Sequence, residues 1–118
     1  MPTGTTADFV VTSASNEKSI GFWRVVTSAT DPIADSASYP AGGSNATVTI
    51  PAGGIAIATS CVENATVSIG VGTERFNFDA GTNEDVCGND TITTGEEGST
   101  TFNGTNSDAL AVVAIAPS

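Results

Sequence analysis

A chain of 118 residues carries thirteen acidic residues against three basic ones, for a net charge of −10 and a sequence pI of about 4.1. It has no histidine, no glutamine, one leucine and one lysine, and Thr, Ala, Gly, Ser, Val and Ile fill most of it. The length suits one domain with a real core. The charge works against nucleic acid and anionic membranes, which need Lys or Arg, and nothing approaches the roughly 18–20 apolar residues of a spanning helix.

Met1–Thr6 is small and polar and reads as an arm (residues 1–6) ahead of a single domain (residues 7–118). The opening residues show neither the basic nor the continuous apolar region of a signal peptide. Asp8–Ser13 reads as a first strand, and Lys18–Ser28, with Phe22 and the single tryptophan Trp23, as a second. Thr30–Ser44 holds Pro32, Tyr39, Pro40 and Gly42–Gly43 without periodicity and is expected to be a long loop or arm.

Alternation then becomes clear, with Ala46, Val48 and Ile50 on one face and Thr47 and Thr49 on the other. Pro51–Gly54 turns the chain, and Ile55–Ser60 is expected to pair back on the strand before it. Asn64–Ile69 is the next strand. NATVTIPAG at 45–53 recurs as NATVSIGVG at 64–72, which reads as two equivalent sandwich strands rather than a solenoid.

Glu74–Asp79 sets Phe76 and Phe78 on one face, Arg75 and Asn77 on the other. Ala80–Asn89 reads as an acidic loop holding Cys87, and Asp90–Thr94 with Ser99–Asn103 as a hairpin about Gly95–Gly98. Ala109–Ala116 is apolar without alternation, so it is either central in its sheet or buried against another subunit. Thr, Val and Ile are stiff at χ1 and fit a pleated surface. The fold class is therefore all-β: an antiparallel, jelly-roll-like β-sandwich of about nine short strands.

Catalytic machinery is sparse. Without histidine and with Lys18 as the one lysine, the usual general bases are missing, and a non-enzymatic role is expected. Gly70-Val-Gly72-Thr73-Glu74-Arg75 breaks the dinucleotide fingerprint at its third glycine and reads as a turn. Asp79, Glu84, Asp85 and Asp90 are the candidate metal ligands. Their bland reading is a solvated acidic loop with no cofactor, and the alternative is Ca2+ or another hard cation.

Cys61 and Cys87, the only cysteines, read as a disulfide. Asn45, Asn64, Asn89 and Asn103 each begin an Asn-x-Thr sequon, open to glycosylation only on a surface-exposed pathway. Phe9, Tyr39, Leu110, Val112, Val113 and Ile115 are the candidate interface residues. The acid-rich, lysine-poor composition suits a saline setting, where salt screens self-repulsion.

With its polar arm after Met1, its Thr/Ala/Gly-rich sandwich and its apolar closing strand Ala109–Ala116, the chain resembles the small β-sandwich accessory proteins that decorate capsids of tailed viruses. The resemblance implies a structural protein on the virion surface, trimeric or pentameric, docking on a capsid shell protein through its arm. The composition would suit a virus of a halophilic archaeon. The rival expectation is a secreted or cell-surface binding module of adhesin, pilus or carbohydrate-binding type.

Overall fold

The structure is a computed structural model, and it describes Trp23, Val25 and residues 30–40, 45–63, 65–79, 84–92, 95–105 and 109–117. Every regular element there is a strand: β1 (Ile33–Pro40), β2 (Asn45–Ile50), β3 (Ile55–Glu63), β4 (Ser68–Ile69), β5 (Thr73–Asp79), β6 (Glu84–Ile92), β7 (Gly98–Thr105) and β8 (Ala109–Ile115). They form two antiparallel sheets, of order β1-β8-β3-β6-β5 and β2-β7-β4. The arm at 1–6 and the strand expected at Asp8–Ser13 lie outside the described residues, as does most of the one expected at Lys18–Ser28.

The pairings are nested. β1 pairs with β8, β2 with β7 and β3 with β6, as in one long hairpin whose successive rungs go alternately to the two sheets. Two sequence expectations fail for this reason. Ile55–Ser60 does not pair back on β2 but lies between β6 and β8, and the expected hairpin about Gly95–Gly98 divides its strands between sheets. Pro51–Gly54 is a tight turn, with the Gly54 N–H donating to Pro51 O at 2.8 Å and Gly53 at φ 70°. It serves as a corner between sheets, not as a hairpin loop.

Two segments read as loops are strands. Ile33–Pro40 has no apolar alternation of its own, yet it pairs along β8 from Ile33↔Ile115 to Pro40↔Ala109. Glu84–Asn89, the other, continues into the strand expected from Asp90, and the whole of Glu84–Ile92 is held on both sides, by β3 and by β5. Pairing with neighbours overrides the weak β-propensity of acidic and small residues at both places. By contrast, the strand expected over Asn64–Ile69 is confined to Ser68–Ile69.

The repeat at 45–53 and 64–72 has a structural counterpart. β2 and β4 flank β7, both antiparallel to it, while β3 and β5 flank β6 in the same way. Each copy therefore runs from a strand of the small sheet to a strand of the large one. Gly53 and Gly72 end the copies with positive φ, 70° and 85°. At Gly72 a Cβ would also collide with the Asp90 carbonyl, so glycine is required there twice over.

The inner faces meet in one core. Ala46, Val48, Ile50, Ile69 and Phe102 come from the small sheet, Val67 from just before β4, and Ala56, Ala58, Val62, Cys87, Leu110, Val112 and Ala114 from the large one. Phe102 is the one ring in that cluster and is fully buried, set among several alanines. β8 lies between β1 and β3, with Leu110, Val112 and Ala114 in the core and Ala109, Ala111, Val113 and Ile115 on the outer face.

Candidate functional site

The outer face of β5 and β6 carries a cluster of aromatic and charged side chains. Gly88 pairs with Phe76, and Val86 with Phe78, so both phenylalanines stand on the face away from the core. Their rings stack at 5.0 Å between centroids, 14° from parallel. Trp23 tilts onto Phe76 at 5.1 Å and 50°, an aromatic pair in the favourable range. Gly88 is the floor beneath both rings: a Cβ there would run into Trp23 Cη2 and Phe76 Cζ.

Asp90, buried on the same face, ties the cluster together. Its Oδ2 accepts from Arg75 Nε at 2.7 Å and from Trp23 Nε1 at 3.3 Å. Arg75 was expected on the face opposite the phenylalanines. The strand register shifts between Glu74 and Phe76, which breaks strict alternation and brings Arg75 to Asp90. The Arg75 side chain is 51% exposed. The hydrogen bond that Arg75 donates to Asp90, and then the charge of Asp90, raise the guanidinium above its ordinary pKa.

Asn77 and Asn89 belong to the other face. Asn77 Nδ2 donates to Val67 O at 3.0 Å and to Glu74 Oε2 at 3.2 Å. Asn89 is buried, and its Nδ2 donates to Ile69 O at 2.9 Å and Val71 O at 3.1 Å, clamping the turn that joins β4 to β5. Its Oδ1 is buried without a hydrogen-bond partner.

The structure separates several residues that the sequence groups. Ser60 pairs with Cys87 and Cys61 with Val86, so the two cysteines stand on opposite faces of the sheet. Cys87 lies in the core, Cys61 is exposed, and they form no disulfide. The acidic set is divided as well. Asp79 and Asp85 are register partners beside Glu84, while Asp90 lies five residues beyond Asp85 on β6, about 17 Å away at strand rise. The Asp90 carboxylate is held by Arg75 and Trp23, and among the described residues no group of three or more metal-ligating side chains is gathered.

The sequon asparagines also differ in setting. Asn45 and Asn103 are exposed and directly opposite one another on β2 and β7, whereas Asn89 is buried and Asn64 lies outside the described residues. Of the interface candidates, Leu110 and Val112 point into the core and are closed to another subunit. Val113 and Ile115 lie on the outer face, Tyr39 is 49% exposed on β1, and Phe9 lies outside the described residues. Sequence reasoning missed the union of Trp23, Arg75, Gly88 and Asp90, since neither the register shift nor the pairing of β5 with β6 is visible locally.

Comparison with protein-family models, curated proteins and solved structures found no match for this chain.

Proposed function

We propose that the protein is a non-enzymatic structural module of the virion surface, a decoration-type accessory protein that docks as a symmetric trimer or pentamer on a capsid shell. The observation that carries this reading is the nested strand order, β1-β8-β3-β6 opposite β2-β7-β4. It fits a jelly roll, an architecture at home in capsids, with β5 transferred to the sheet of β6.

Surface chemistry supports the same reading. A chain of net charge −10 can associate with copies of itself only through surface that carries few acids. Among the described strands β1 lies at the edge of its sheet, and it presents Ile33 at 60% exposure and Tyr39 at 49%. An exposed strand edge of this kind is a template for pairing or for burial between subunits. The outward residues of β8 beside it, Ala109, Ala111, Val113 and Ile115, carry no charge. Closed symmetry would multiply such modest contacts into firm docking.

Immunogold labelling of intact particles and host cells with antibody to the folded domain tests the proposal. Regular labelling of particles is expected. Labelling confined to the cell surface would overturn it and favour the secreted or cell-surface binding module.

A further inference from the structure

The aromatic cluster on β5 and β6 contains more than is needed to hold Trp23 on the sheet. Trp23, Phe76 and the glycine floor at Gly88 suffice for that. Phe78 extends the shelf outward and leaves 40% of itself in water, and Arg75 stands half exposed beside Asp90. An exposed ring at the end of a stacked aromatic pair, on the same face as a half-exposed guanidinium that a buried carboxylate orients, is a ligand-shaped arrangement.

We propose that Phe78, Phe76, Trp23, Arg75 and Asp90 form a binding site for a neutral sugar ring. Elimination narrows the ligand class. An anion would meet a protein of net charge −10 and, at the end of the same hairpin, Asp79, Glu84 and Asp85. A cation would meet Arg75. A plain aliphatic chain would leave the remaining N–H donors of the half-exposed guanidinium unanswered. A pyranose answers both halves of the site, because its C–H face packs on the electron-rich face of an aromatic ring and its hydroxyls both donate and accept.

Arg75 is suited to the second task. Asp90 holds its Nε, which fixes the plane of the guanidinium and leaves the remaining N–H donors unused in that bond. Asp90 is itself fixed by Trp23 Nε1, so ring and charge are oriented by one carboxylate. The inference does not depend on oligomeric state, and a monomer would carry the same site.

Trp23 is the only tryptophan, so its emission reports on the site alone. Titration with the methyl pyranosides of glucose, galactose and mannose should give a saturable shift for at least one, with Kd on the order of 1 mM for a ligand this small. That Kd should hold between about 0.1 M and about 1 M salt, since the ligand is uncharged. Phe78→Ala and Arg75→Gln should each weaken binding by about tenfold with the strand circular dichroism unchanged.

Saturation-transfer NMR on the wild-type protein, with enhancement of the sugar ring C–H protons, gives a readout that needs no variant. Absence of saturation and of transfer with all three sugars would overturn the proposal. Undiminished binding by folded Phe78→Ala would overturn it equally.

Discussion

The carboxylate of Asp35, on β1 of the large sheet, accepts a 2.7 Å hydrogen bond from the backbone N–H of Thr49, on β2 of the small sheet. Its other oxygen accepts from the Ser36 N–H at 2.8 Å. One inward-pointing acid thus bridges the two sheets and occupies an N–H of the β2 edge. Inward charges of this kind protect an edge strand from unwanted pairing.

Removing that acceptor should cost stability. Asp35→Ala leaves a part-buried N–H without its partner, for an expected loss of about 1–3 kcal/mol. Asp35→Asn keeps a side-chain oxygen and should lose less. Urea midpoints at constant slope decide the order; equal stability of wild type and Asp35→Ala would contradict the bridge.

Gly88 is a second sensitive position. Gly88→Ala drives a methyl into Trp23 and Phe76, and overpacking of this sort costs about 1–3 kcal/mol. Trp23 should be displaced, with its emission shifted to the red while the strand signal persists. An unchanged emission spectrum would mean that Trp23 does not rest on this glycine.

The cysteines should behave as two unlike thiols. In the native protein Cys61 should react with a thiol reagent quickly, and Cys87 only after unfolding. Intact mass after alkylation of the unreduced, denatured chain should show two modified thiols. A mass showing none would indicate a disulfide and contradict the strand register.

Glycosylation offers a fourth check. Expressed in a host that modifies Asn-x-Thr, the folded product should carry no glycan at Asn89, whose side chain is buried and bonded to Ile69 and Val71. Peptide mapping of the native, soluble fraction reads this directly. A glycan at Asn89 in that fraction would place β6 elsewhere.

Local pattern made some of this legible. The alternation at 45–50 correctly buries Ala46, Val48 and Ile50 and exposes Asn45 and Thr47, and Thr47 meets Thr101 across the outer face at 2.8 Å. The recurrence of the 45–53 pattern at 64–72 marks two segments that each lead from a strand flanking β7 toward one flanking β6, although only Ser68–Ile69 of the second copy is strand. What stayed hidden is long-range. Ile33–Pro40 and Glu84–Asn89 are strands because of their partners, and no residue within either segment announces it.

The candidate site was half legible for the same reason. Phe76 and Phe78 fall on one face by simple alternation, but Arg75 joins them through a register shift, and Trp23 arrives from 67 residues before Asp90. The turn residues at Pro51–Gly54 signal a change of direction truthfully. They carry no sign of whether the next strand stays in the sheet or leaves it.

Light scattering behind size exclusion, at about 0.1 M and then about 1 M salt, tests the central claim of a symmetric structural protein most directly, because the Debye length falls from about 10 Å to 3 Å between them. A discrete trimer or pentamer that persists or strengthens in the higher salt is the expected result. A monomer under both conditions would contradict it.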